Sequence, residues 1–141
     1  MLLPETSLSY NHARYGSPNL TSGGSIVFFS GALGRRVEAR GFGLGGANVL
    51  NEILAKVLAL ELGPRIRVNC ISPGMVNTST WKNHGHATEQ DRDDHFESFA
   101  DNVVSGRVGT TDDIGHACSM VMVNNWMTGS VIDVDGGAVL A

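Results

Sequence analysis

Residues 60–74 read LELGPRIRVNCISPG, and this stretch contains the signal from which the fold is assigned. Gly63-Pro64 ends a helix, because glycine suits the position after a helix and proline cannot continue one. Ile66–Ser72 then forms an apolar strand that ends at Pro73-Gly74. A helix followed at once by such a strand is typical of an α/β protein with a parallel sheet.

The residues before this stretch predict one more strand and the body of the helix. Ser25–Ser30 is short and apolar, and glycines flank it, which indicates a buried strand. From about Gly45 to Leu62, apolar side chains recur at intervals of three and four, as on the buried stripe of a helix. Residues 1–22 are polar, and we expect an irregular N-terminal segment there.

The residues after this stretch predict two helices and a last strand. The first helix lies near 89–104, and the second begins at a capping box formed by Thr110 and Asp113. Ser130–Val134 is the last strand. Residues 23–141 are therefore predicted to form a single α/β domain with about three parallel strands and two main helices.

Composition excludes several classes of protein. The 141 residues are 42% hydrophobic and 17% charged, which excludes a disordered chain, and the net charge of −4 argues against a nucleic-acid partner. Two cysteines, Cys70 and Cys118, are too few for a disulfide framework. Because neither a signal peptide nor a membrane-spanning apolar run is evident, we expect a cytoplasmic protein with no membrane partner.

The motifs together resemble the second half of the short-chain dehydrogenases/reductases. The resemblance covers about residues 20–141 and implies a truncated, Rossmann-like, doubly wound parallel sheet without its dinucleotide-binding half. The stretches that carry the resemblance occur in the family's order: Gly23–Val27, Leu60–Asn69, Ser72–Gly74, Gly106–Thr110 with Asp113-Ile114, and Thr128–Gly137.

The chain departs from this family at its active site. The family uses a serine, a tyrosine and a lysine, and alignment without gaps places Gly31, Leu44 and Asn48 at those positions. No tyrosine follows Tyr15. The chain thus lacks the phenol and the ammonium group that the family's acid–base hydride chemistry needs. We therefore expect no ordinary reductase activity and no cofactor.

Five polar residues are candidates for catalysis instead. Asn48 can hydrogen-bond a substrate carbonyl or enolate, and Ser30 can assist it. Equally, both can be ordinary loop and helix-start residues. His84, His86 and His95 can act as general acid or base. For these histidines the alternatives are a solvated surface and, for the His-x-His pair, metal binding, but we assign no metal site.

Further residues are candidates for substrate contact. Walls for an apolar substrate are expected from Leu44, Met75, Val76, Trp81 and Phe96. The loop from Pro73 to Thr78 resembles the family's nicotinamide-contacting loop, with a tight strand exit as the alternative.

Two motifs could recognise anions, and each has a simpler explanation. Gly41–Gly46 matches G-x-G-x-x-G, with close packing of the helix start as the alternative to phosphate binding. The group of Arg35, Arg36 and Arg40 can bind an anionic substrate or be solvated.

The leading hypothesis for function is a repurposed, cofactor-independent isomerase, cyclase or dehydratase that acts on a small apolar carbonyl metabolite. One alternative is a catalytically inactive binding or regulatory subunit, and the other is an NAD(P)-dependent oxidoreductase with a reconstituted nucleotide site. The strand Ser25–Ser30 needs a cover for its edge, from residues 1–22 or from a second copy. In the family that the chain resembles, the helix matching Gly45–Leu62 and the element around Ser130–Val134 pack between subunits, so the resemblance implies a homodimer or homotetramer.

Overall fold

A computed structural model describes residues 4–36, 39, 42–79 and 88–141 of the chain. Two 3-10 turns, Ser17–Asn19 and Ala32–Gly34, follow the first helix and the first strand. The α/β class is confirmed, with four helices rather than two main ones across these ranges. In chain order the elements are α1 (Pro4–Gly16), β1 (Gly24–Phe29), α2 (Phe42–Leu62), β2 (Ile66–Pro73), α3 (Glu89–Ala100), α4 (Thr111–Val123) and β3 (Val131–Val134).

The three strands form one parallel sheet in the order β1-β2-β3. Phe28 of β1 pairs with Cys70 of β2, and Cys70 also pairs with Val131 of β3. Strand β2 is buried on both faces, and its polar side chains Arg67 and Asn69 donate to backbone carbonyl oxygens of neighbouring segments. Because parallel strands end at the same edge, the residues that follow β1 and β2 lie side by side.

Helix α2 packs along the sheet. Ala55 and Leu58 on its buried face join a core cluster with Phe28, Val68 and Cys70. The helix begins at Phe42, three residues before the predicted start at Gly45. Its buried face also carries three polar side chains: Asn48, Asn51 and Glu52.

Helix α2 is also long and apolar enough to cross a membrane, contrary to our expectation that no stretch of the sequence qualifies. Among the described residues it alone meets this criterion, which rests on length and composition only. A helix that covers the core of a globular α/β domain meets the same criterion, and α2 packs in that way.

Helix α1 corrects the prediction that residues 1–22 are irregular. Its sequence is too polar to show an apolar stripe. The apolar side chain that it buries is that of Ala13, which packs in the core cluster that contains Phe28. Arg65 fixes the connection to β1 by donating to the carbonyl oxygens of Ser17 and Leu20, at 2.9 and 2.8 Å. Tertiary packing rather than local pattern therefore stabilises this helix.

The outer edge of β1 has no strand partner among the described elements. A groove of about 500 Å³ runs between this strand and α1, lined by Ser9, His12 and Ala13 among others. Several apolar side chains of α2 are exposed as well, Phe42 and Leu60 most of all. The expected homodimer or homotetramer stays a prediction.

A buried amide generates the first testable prediction. The Asn69 side chain donates to the Met127 carbonyl at 2.8 Å and accepts from the Ser130 amide at 3.1 Å, so it joins β2 to the entry of β3. Asn69→Ala leaves the Ser130 amide without its partner, whereas the Met127 carbonyl keeps its bond from Arg67 at 3.3 Å. The variant is expected to lower the free energy of unfolding by about 1–3 kcal/mol. Urea unfolding measures this loss. The control is Asn102→Ala, which removes one exposed bond to the Ser98 carbonyl, and equal losses would contradict the prediction.

The cap of α4 generates a second prediction, on pH. The predicted capping box is present, with Thr110 and Asp113 bonded reciprocally. Hydrogen bonds from Arg107 and then from Thr110 hold the pKa of Asp113 well below its usual range. A depressed pKa stabilises the folded state above the ordinary carboxyl range, and that contribution is lost as the pH falls below about 4.

The free energy of unfolding should therefore decrease less steeply toward acid pH in Asp113→Asn than in the wild-type protein. Urea unfolding at a series of pH values between 6 and about 2 measures the slope, since this range brackets the usual aspartate pKa. Asp112→Asn is the control, because Asp112 makes no such bonds among the described residues. A slope that changes equally in both variants would show that the cap is not responsible.

Candidate functional site

A cavity of about 500 Å³ opens where β1 and β2 end. This edge of a parallel sheet is where ligands collect in open α/β folds. Leu33, Leu44, Met75 and Phe99 contribute apolar walls. Four side chains with polar groups also line the cavity: Ser30, Arg36, Asn48 and His95.

The structure brings five of the predicted site residues together in this cavity. Ser30, Asn48 and His95 come from the predicted catalytic set, and Leu44 and Met75 from the predicted substrate wall. Their roles stay predictions, because their shared position does not by itself show chemistry.

The other predicted residues are placed elsewhere or lie outside the described ranges. Val76 forms an isolated bridge with Gly109, and Phe96 is buried, so neither lines the cavity. Residues 80–87 are outside the description, and with them Trp81, His84 and His86. Within the described part of the chain, no group of three or more histidine, cysteine, aspartate or glutamate side chains could hold a metal ion.

The positions of the family's serine and lysine lie against each other. A Cβ atom added to Gly31 would lie 3.0 Å from Nδ2 of Asn48, so the carboxamide takes the space of a side chain at position 31. Asn48 is 8% exposed and has no hydrogen-bond partner among the described residues. An unpartnered buried carboxamide beside a cavity is free to hydrogen-bond a ligand there.

A charged network lies behind Ser30, and no sequence motif marks the glutamate at its centre. Oε1 of Glu52 accepts from Ser30 Oγ at 3.1 Å and from Arg35 Nη2 at 3.3 Å. Arg35 also bonds the carboxylate of Asp133 on β3. A glutamate one turn after Asn48, on the helix face that also buries Asn51, is the signal that could have identified it.

The guanidinium of Arg35 lies between the carboxylates of Glu52 and Asp133. Burial disfavours the charged form of Arg35, but the hydrogen bond to Asp133 and the charge of Glu52 outweigh this effect, so the pKa of Arg35 is raised. The neighbouring Cys70 stays a neutral thiol, because burial raises its pKa to about 11. The network therefore holds one cation between two carboxylates beside an uncharged sulfur.

The glycine-rich run does not form a phosphate loop. The backbone is helical from Phe42, so most of Gly41–Gly46 lies inside the first turn of α2. A Cβ at Gly45 would lie 2.9 Å from the carbonyl oxygen of Leu33. Glycine is therefore present for close packing, as the alternative explanation proposed. Of the three arginines considered for anion binding, Arg36 lines the cavity, Arg35 belongs to the network and Arg40 lies outside the described residues.

Comparison with known proteins identifies relatives over most of the chain. The sequence model of a family described as enoyl-(acyl carrier protein) reductase matches residues 6–139. A peroxisomal 2,4-dienoyl-CoA reductase of Danio rerio is 30% identical over 97% of this chain and 51% of its own length. A human 3-oxoacyl-[acyl-carrier-protein] reductase is 32% identical over 81% of this chain and 42% of its own length. The chain thus spans about half the length of these curated relatives.

A solved structure is similar to this chain at a higher sequence identity than the curated relatives. A small-chain dehydrogenase in complex with NADPH is 43% identical, with a TM-score of 0.85 over 92% of this chain and 57% of its own.

These relatives overturn the leading hypothesis for function. Because the curated relatives are reductases and the solved one is a dehydrogenase in complex with NADPH, the expectation of a cofactor-independent isomerase, cyclase or dehydratase is wrong. The lack of a tyrosine and a lysine at the family positions was given too much weight. The resemblance in sequence, the shared sheet and the family match lead to one conclusion: the chain belongs to the short-chain dehydrogenase/reductase family.

Proposed function

We propose that the protein is an NAD(P)-dependent oxidoreductase whose small organic substrate binds in the cavity at the ends of β1 and β2. The observation that carries this proposal is the buried Asn48 carboxamide, which lines the cavity and has no partner within the described part of the chain. The 43% identical structure with NADPH supports the cofactor class. The names of the Danio rerio and human relatives support a reductase reaction.

The lining of the cavity suggests the chemistry of the substrate. Its walls are mainly apolar, and its polar centre consists of Ser30 and Asn48. Such a site suits an apolar molecule that carries one carbonyl or hydroxyl group. The apolar walls also exclude water from the reacting group, which strengthens hydrogen bonds made there.

The side chains of the cavity have distinct parts in this reaction. Asn48 donates to the substrate oxygen while negative charge develops on it, and one such preorganised donor contributes about 10²–10³ in kcat. His95 on α3 also lines the cavity, where its imidazole can hydrogen-bond the substrate. When bound, the nicotinamide transfers a hydride to or from the substrate carbon.

The described residues fit one end of the cofactor. Pro73–Met75 resembles the family's nicotinamide loop and forms a wall of the cavity beside Asn48. The described ranges contain no glycine-rich loop that could bind the pyrophosphate, since most of Gly41–Gly46 is helical and Gly45 packs against Leu33. The nicotinamide end is therefore the part assigned to these residues.

Nucleotide titration of the purified protein tests the proposal. We expect saturable binding of NADPH or NADH, followed by fluorescence, and nucleotide-dependent turnover of apolar ketones or alcohols. Binding without turnover of any of them would favour a catalytically inactive binding subunit. The absence of binding at millimolar nucleotide would exclude the oxidoreductase.

A matched pair of glycine variants tests whether the carboxamide position matters. Gly31→Ala places a methyl group 3.0 Å from Nδ2 of Asn48, and the backbone φ of −177° at Gly31 allows alanine. Displacement of Asn48 is expected to lower kcat/KM about tenfold. Gly43→Ala is the control, because an added Cβ there contacts nothing within 4 Å. If Gly31→Ala keeps full activity, Asn48 does not hold the substrate.

A further inference from the structure

Glu52 is a buried carboxylate to which neither the family resemblance nor the proposed reaction gives a part. The residue is 8% exposed, and its Oε1 accepts from both Ser30 and Arg35. Burying a carboxylate is costly unless it is paired and hydrogen-bonded, as this one is. A helix that needed only a packing residue here would carry an apolar side chain like its neighbours.

The contact with Glu52 fixes the direction of the Ser30 hydroxyl. A carboxylate can only accept a hydrogen bond, and a hydroxyl has one hydrogen to donate. Since Ser30 Oγ lies 3.1 Å from Glu52 Oε1, that hydrogen is committed to Glu52. Cys70 also hydrogen-bonds the Ser30 side chain, and its neutral thiol can donate to one lone pair of Ser30 Oγ. The other lone pair is left for the cavity that Ser30 lines.

We infer that Glu52 is a positioning residue that makes Ser30 the acceptor for a hydroxyl group of the ligand and then takes up the proton that Ser30 passes on. The pair thereby supplies the proton path for which this chain has no tyrosine and lysine at the family positions. Ser30 contacts the ligand, and Glu52 acts through Ser30.

Glu52 contacts one cation directly, and further titratable groups lie around this pair. Arg35, which follows the 3-10 turn Ala32–Gly34, is its cationic partner, and Asp133 on β3 bonds the far side of that guanidinium. From β2 the facing titratable group is Cys70, a neutral thiol. His95 of α3 lines the same cavity as Ser30. The Glu52 side chain retains 11% of its surface, through which a proton can exchange with water.

The proton step rests on the proposed function and is written for alcohol oxidation. The O–H bond of the alcohol breaks and its proton bonds to Ser30 Oγ, while the proton of Ser30 passes to Oε1 of Glu52. The electron pair left on the substrate oxygen forms the carbonyl π bond as the C–H hydride leaves to NAD(P)⁺. Glu52 then releases the proton to water, and reduction runs the same path in reverse.

Equilibrium binding without nucleotide tests the orientation of Ser30. Cyclohexanol and cyclohexanone differ in that only the alcohol can donate to Ser30, so wild-type protein should bind the alcohol about fivefold more tightly, as one added hydrogen bond predicts. Ligand-observed NMR measures the ratio. Glu52→Gln keeps an acceptor oxygen for Ser30 and should keep the preference, whereas Glu52→Leu should lose it.

The exposed glutamate of the same helix provides the binding control, because Glu61→Leu should leave the ratio unchanged. Equal binding of the two ligands by wild-type protein, or a preference that survives in Glu52→Leu, would overturn the assignment. If the leucine variant does not fold, loss of the preference in Glu52→Gln would overturn it.

Alcohol oxidation tests the proton step. Glu52→Gln cannot take up a proton, so its kcat should fall about 100-fold, the usual effect of losing a general base. The pH profile of kcat/KM should also differ between wild-type protein and this variant, because glutamine has no ionisable group at position 52. Glu61→Gln should leave both quantities unchanged. A glutamine variant with the wild-type rate and pH profile would overturn the proton step alone, whereas wild-type protein without turnover would overturn the proposed function and the proton step together.

Discussion

The described sheet depends on the burial and double pairing of β2. This strand pairs with β1 on one side and β3 on the other, so its backbone groups are satisfied without water. Its polar side chains serve the same end, since Asn69 holds the chain entering β3 and Arg67 donates to the carbonyl oxygens of Val121 and Met122 at the end of α4. The cavity lies at this end of β2 because β1 and β2 run parallel, so the chain leaves both strands at the same edge of the sheet.

The elements that sequence alone predicted are those whose signals are local. β1, β2, β3, the body of α2 and the cap of α4 each show their pattern within a few residues. Helix α1 has no such pattern, because it is stabilised by distant partners such as Arg65, and the earlier start of α2 depends on the contact of Gly45 with Leu33. Propensity and periodicity contain no information about such contacts.

The candidate site was only partly predictable for the same reason. Ser30 and Asn48 were identified because alignment places them at or next to family positions, and the cavity contains both. Glu52 was missed because its partners, Ser30 and Arg35, are 22 and 17 residues away along the chain. The function was misjudged because the absence of known catalytic residues was treated as the absence of the reaction, although other polar groups occupy the same place.

The contact between positions 31 and 48 has an evolutionary consequence. A Cβ at position 31 crowds the amide of Asn48, so the effect of either residue depends on which residue the other is. A change at position 31 alone meets a carboxamide in its space, and a change at position 48 alone leaves glycine facing a different side chain. This epistasis implies that a lineage passing between the family's serine and lysine and this glycine and asparagine had to alter both positions in close succession, or to tolerate a weakened enzyme between the two substitutions.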